Sequence, residues 1–242
     1  MTTVHIILLL LFAAGAAFTQ RVSGFGFGIF IMTVLPYLMP SYGEATALSG
    51  LLAVVTALIP AWHMRRYLPI RKLWPILLTF TIVSFFSVIM VTKIDSRSLK
   101  HVLGGVLIAV SIYFFVFSGR FRMKPNFPTQ ISMGTLSGLM GGLFAMQGPP
   151  AVIYFVECSD SKEEYIALTQ WYFLVGNIMM SFFRAGHGLV SGTVLKSFLI
   201  ALPAVFAGLY LGSVVYERVN AKLLKKVIYG YMALAGLIAL IQ

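Results

Sequence analysis

Residues 131–157, ISMGTLSGLMGGLFAMQGPPAVIYFVE, form an apolar run cut in the middle by Gln147-Gly148-Pro149-Pro150. Proline removes a backbone donor and glycine disfavours the helical state, so the run predicts two short helices meeting at a break. A second interrupted run opens the chain. It covers 4–19, is broken by Gln20-Arg21-Val22-Ser23-Gly24-Phe25-Gly26-Phe27-Gly28, and resumes over 29–39. Six uninterrupted stretches, about 45–64, 73–92, 101–118, 164–184, 194–216 and 223–241, have the roughly 20 apolar residues that a membrane span needs.

Composition agrees. Of 242 residues 59% are hydrophobic and 10% charged, against about 25% charged in an average globular domain. Mean hydropathy is +0.92, which excludes an ordinary soluble domain. A transmembrane β-barrel would show alternating strands of about 10 residues, and these runs do not alternate. The fold class is an all-α polytopic membrane protein. The 18 Lys and Arg against 7 acids sit mainly in short loops. That pattern reads as topology determination and contact with anionic lipid rather than nucleic-acid binding. Cys158 is the single cysteine, so no internal disulfide or cysteine metal cluster is expected. Ala13 to Ala17 resembles a signal-peptide cleavage region, but Met1 to His5 holds no Lys or Arg, so residues 1–20 are expected to be mature structure.

The two breaks occupy matching places in a chain that repeats itself. At an offset of 120, Gly28 matches Gly148, and Glu44 to Ser49 matches Glu164 to Thr169. At an offset of 125, Leu99-Lys100-His101-Val102 matches Leu224-Lys225-Lys226-Val227, and Gly105 matches Gly230. This predicts two homologous halves, 1–124 and 125–242, forming one transmembrane domain. Each half has a broken or re-entrant first helix and three full spans, about eight segments in all. If the breaks fully span, the halves are parallel and Lys and Arg divide 9 to 8 between the sides. If they are re-entrant hairpins, the halves are inverted and the division is 12 to 5, with Arg21 inside the first hairpin. The positive-inside rule favours the inverted arrangement.

Backbone groups freed at membrane depth must line a cavity or be buried in protein, and paired broken helices mark transporter substrate sites. Half-helix N-termini favour anions. Gly26, Gly28, Gly148 and Pro149 are therefore the expected anion cradle. Gly134, Gly138 and Gly142, four apart on one face, read as helix packing. Ser49 and Thr169, equivalent across the repeat, are candidates to hydrogen-bond substrate or to bond back to their own helices. Asn177 lies mid-span, where it holds helices together or meets substrate. Gln147 is the better donor candidate, and Arg21 offers charge beside the first break or snorkels. Arg184 and His187 close a span and read as interfacial, and Trp62, Trp74 and Trp171 as an aromatic belt. All seven acids lie in loops or at helix ends, so carboxylate-based ion coupling loses weight and facilitated anion flux gains it.

The chain has no G-x-x-x-x-G-K-[ST], H-E-x-x-H or G-x-S-x-G motif, and no enzyme activity, metal or cofactor is expected. Leu136-Ser137-Gly138-Leu139-Met140-Gly141-Gly142 leading into Gly148-Pro149-Pro150-Ala151-Val152-Ile153-Tyr154 resembles the second-repeat signature of the sulfite exporter TauE/SafE family. Ser23 to Gly28, with Pro36 downstream, resembles its first-repeat glycine cluster. Phe27 stands where glycines are usual, and Met146-Gln147 replaces small residues. The resemblance implies a multi-pass transporter in the cytoplasmic membrane, commonly an exporter, of sulfite, organosulfonates or related small organic anions. A membrane scaffold without transport and a carrier of a non-anionic metabolite are the alternatives. The expected partners are a small anionic substrate and the bilayer, with homo-oligomerisation left open.

Overall fold

A computed structural model describes residues 2–117, 125–216 and 221–241. The loop cations Arg120, Arg122, Lys124 and Arg218 that entered the charge count lie outside them, and so does the acid Glu217. Among the described residues the regular structure is all helical, with no strand. The helices are α1 (Thr3–Ser23), α2 (Phe27–Ile31), α3 (Leu35–Leu38), α4 (Tyr42–His63), α5 (Ile70–Lys93), α6 (Ser96–Ile112), α7 (Phe127–Phe144), α8 (Gly148–Cys158), α9 (Lys162–Gly186), α10 (Gly192–Tyr216) and α11 (Ala221–Ile241). Six are long and apolar enough to cross a bilayer: α1, α4, α5, α6 extended to Phe115, α9 and α10.

Local chemistry starts the helices where side-chain acceptors are available. Ser41 accepts from the Glu44 N–H at 3.2 Å, and Ser161 accepts from the Glu164 N–H at 3.1 Å. Asp95 and Asn126 cap α6 and α7 in the same way. Each cap satisfies one amide of the first turn. The Ser41 and Ser161 caps are 120 residues apart, the offset already seen in the sequence. One boundary differs from expectation. Gln20 to Ser23 continue α1, because nothing in those four side chains opposes a helix; Gly24 ends it with φ 83°. The return limb is also two short helices rather than one, with Pro36 in the first turn of α3.

The major helix pairs all join a helix before residue 118 to one after residue 124: α1 with α10, α5 with α7, α4 with α9 and α6 with α11. Small residues permit the approach. A Cβ at Gly134 or Gly138 would lie 2.9 or 2.8 Å from Thr79 or Val83 of α5, and one at Gly142 would collide with Ser87. Gly104 and Gly236 each face the other's carbonyl across α6 and α11. The packing role expected of the α7 glycines is what the structure shows.

Contacts also give direction. Gly43, at the start of α4, packs on Leu189, just past the end of α9, and Gly50 packs on Arg184. α4 and α9 are therefore antiparallel. Lys72 Nζ reaches Asp160 and Glu164 at 2.7 Å each and donates to the Cys158 carbonyl at 2.9 Å. The start of α5 and the α8–α9 junction thus share one face, here the Lys72 face; Leu189 and Gly43 mark the opposite face. α7 runs alongside α5 in the same direction, and α8 returns to the Lys72 face at Cys158. α1 runs alongside α10, with Gly208 against Ala14 and Gly212 against Arg21, and α2 and α3 return to Tyr42 on the Leu189 face. The two broken segments are hairpins entering from opposite faces.

Candidate functional site

Each hairpin tip is built by a left-handed residue. In the first, the Gly24 N–H donates to the Gln20 carbonyl at 2.9 Å, and Gly26 (φ 101°) opens α2. The Gln20 side chain accepts the Phe27 N–H at 3.1 Å, so one free amide of α2 is already satisfied. In the second, Ala145 is left-handed at φ 56°, a conformation that costs a residue with a Cβ roughly 1–2 kcal/mol. Its N–H donates to the Gly141 carbonyl at 3.0 Å. Ser137 Oγ donates to the Gln147 carbonyl, and Tyr172 OH donates to Ser137 Oγ at 2.7 Å. A buried, connected network of this kind fixes the tip.

The tips touch. The space a Cβ would need at Gly28 is occupied by the Ala145 carbonyl oxygen, with the Ala145 carbonyl carbon at 3.1 Å. Around this contact lies a chamber of about 30 Å³, lined by Gln20, Gly26 to Ile29, Ala53, Thr56, Ala145 to Gly148, Phe173 and Asn177. That is room for a water or two or one small ion. Among the described residues no charged side chain lines it.

Of the residues expected from sequence, Gly26, Gly28, Gln147, Gly148 and Asn177 come together here. Gln147 does not serve as a free donor. Its Nε2 donates to the Phe173 carbonyl at 3.3 Å, and its buried Oε1 has no partner. Asn177 Nδ2 donates to the same carbonyl at 2.8 Å. Gly148 is less confined than expected, since a Cβ there would meet Phe173 and Phe25 at an ordinary 3.6–3.8 Å. Pro149 lies off the chamber, beside an apolar groove between α6, α7 and α8. With Pro150 it removes two amides from the first turn of α8.

A wider vestibule of about 390 Å³ adjoins the chamber toward the Lys72 face and shares Gln20 and Thr56 with it. Arg21 and Lys162 line it, no acidic side chain does among the described residues, and Gln170 Nε2 closes one wall on the Gly24 carbonyl at 2.9 Å. Thr169 lines this vestibule but donates to the Tyr165 carbonyl of its own helix. Ser49 lies outside both spaces, fully buried, with an unpartnered hydroxyl.

Gln20, Thr56 and Phe173 also line the chamber, and their importance comes from what packs against them, which no local pattern in the sequence carries. Arg184, at the end of its span, is expected at the interface. The side chain is fully buried instead, because its Nη2 reaches the Gly141 and Gly142 carbonyls at 2.9 and 3.3 Å and answers the partial negative charge at the end of α7. A signal was present: Asn177, Ser181 and Arg184 are spaced to share one helical face.

A family model described as Sulfite exporter TauE/SafE matches residues 7–238. The chain belongs to the sulfite exporter TauE/SafE family. TauE/SafE proteins are membrane transporters, so this chain is a multi-pass transporter and not an enzyme. No curated protein and no solved structure matches the chain significantly. Both TauE/SafE-like glycine clusters, 23–28 and the stretch around 148, border the chamber.

Proposed function

We propose that this TauE/SafE protein exports a small anion, sulfite, an organosulfonate or a related organic acid, across the cytoplasmic membrane through the chamber where the two breaks meet. The observation that carries the reading is the convergence of Gly28 and Ala145, tips of hairpins from opposite faces, around an uncharged polar cavity. The halves 1–124 and 125–242 act as inverted repeats. Their support is the common offset of breaks and caps and the antiparallel α4–α9 pair. Rocking of one hairpin set against the other exposes the chamber to each face in turn.

The vestibule favours anions. Arg21 and Lys162 raise the local concentration of negative solutes, and among the described residues no lining carboxylate opposes them. The chamber itself lacks a full charge, which suits an ion that must leave again. The free Oε1 of Gln147 is an acceptor, so whatever meets it brings a hydrogen. A protonated oxyanion such as hydrogensulfite, or a water travelling with the anion, does so. At its present size the chamber admits only the smallest of these substrates.

The test is uptake of radiolabelled sulfite and sulfonates by proteoliposomes containing the purified protein, with dicarboxylates and a neutral amino acid alongside. Flux confined to anions is expected. Absence of flux across the anion panel refutes export of these anions through the chamber.

A further inference from the structure

We infer that Arg184, with the hydroxyls of Ser49 and Ser181, forms a second oxyanion station on the side of the chamber opposite the vestibule. The inference deepens the transport reading and rests on it for its place in a route, though not for the binding itself. Arg184 is 0% exposed, and a guanidinium does not give up its proton in a protein. Burying that charge without a counter-charge is costly. Among the described residues the carboxylate ion pairs are those of Lys72, and none reaches Arg184.

The carbonyls of Gly141 and Gly142 occupy Nη2 alone, leaving Nε and Nη1 without partners. The unused donors do not face a featureless wall. Nη1 and Ser181 Oγ both lie over Gly50, 2.8 and 3.5 Å from where its Cβ would stand. Ser49 immediately precedes Gly50 in the sequence of α4. Both serine hydroxyls are buried and unpartnered. An unpaired buried cation beside the unpaired Ser181 hydroxyl, with the equally unpaired Ser49 hydroxyl one residue along α4 from Gly50, is satisfied by one small oxyanion that accepts from these donors.

The position suits a route. Arg184 lies seven residues beyond Asn177 on α9, about 10 Å at 1.5 Å per residue. On antiparallel α4, Ser49 lies seven residues before Thr56, which lines the chamber. Vestibule, chamber and station therefore follow one line along the α4–α9 pair. An anion leaving the chamber toward the Leu189 face meets the station next.

The experiment measures binding of sulfite, kept anaerobic, and of sulfate to the purified full-length protein by calorimetry, together with thermal unfolding of the ligand-free protein. The variants are the double substitution Ser49→Ala with Ser181→Ala, and Arg184→Lys. The double variant is expected to bind at least about ten-fold more weakly, the usual effect of losing a hydrogen bond to a charged group. Its ligand-free stability should hold or rise, because two unsatisfied hydroxyls are gone. Arg184→Lys should weaken binding further. Unchanged affinity in the double variant, or no sulfite or sulfate binding by the parent protein, overturns the station and leaves Arg184 as a cap on α7. Binding that is lost in these variants while the parent shows no flux upholds the station and refutes the transport reading. Flux with unchanged binding does the reverse.

Discussion

Gly28→Ala is the smallest change that probes whether the hairpin tips must touch. The added Cβ falls on the Ala145 carbonyl oxygen, with Ala145 C at 3.1 Å and Met146 Cα at 3.7 Å. These are backbone atoms, so no rotamer change makes room, and the tips must separate. Overpacking of a tight contact costs about 1–3 kcal/mol, and a backbone obstacle puts this case at about 2–3 kcal/mol. For a chain of this size that is a fall in Tm of roughly 5–10 °C. Separation also opens the chamber wall, so anion flux should fall with it. The control is Gly148→Ala, whose Cβ meets Phe173 and Phe25 only at 3.6 Å or beyond. It should change stability by less than about 0.5 kcal/mol. Thermal unfolding in detergent and proteoliposome flux, measured on both variants, give the comparison. If Gly28→Ala melts with the parent and transports at the same rate, the contact between the tips has no structural or functional weight and the chamber is not the transport site.

Ala145→Gly should raise stability by about 0.5–1 kcal/mol, since the left-handed strain at φ 56° is relieved and only part of the gain is lost to glycine's greater unfolded-state freedom; a lower Tm would contradict this. Lys72→Met removes ion pairs to Asp160 and Glu164 and should lower stability by about 1 kcal/mol at low salt, with the gap to the parent shrinking as salt rises. A gap independent of salt would show that the stem of Lys72 matters rather than its charge. On topology, the C-terminus and the loop at Arg71 should face opposite sides of the membrane, as the 12-to-5 charge division requires. A reporter fused after Gln242 and cysteine labelling near Arg71 test it, and finding both in the cytoplasm would restore parallel halves.

Helix class and the two breaks were legible in the sequence because each depends on local chemistry. Twenty apolar residues dictate a span, Gly148-Pro149-Pro150 dictates an interruption, and Ser41 and Ser161 cap the helices they precede whatever packs around them. The candidate site was partly legible for the same reason, since Gly26, Gly28, Gln147 and Gly148 stand at breaks that must line a cavity or be buried. Which of them matters most was not. Gly28 and Gly148 read alike along the chain, and only the arrival of the Ala145 carbonyl from the other hairpin makes one of them irreplaceable. Arg184 shows the limit most clearly. A cation at the end of an apolar run reads as snorkelling to the interface, because hydropathy registers what precedes a residue and nothing of what packs beside it. Its inward turn depends on the α7 carbonyls of Gly141 and Gly142, some forty residues earlier in the chain. Every major helix pair joins a helix before residue 118 to one after residue 124, so the chamber, the vestibule and the Arg184 cluster exist only once these distant stretches have packed together.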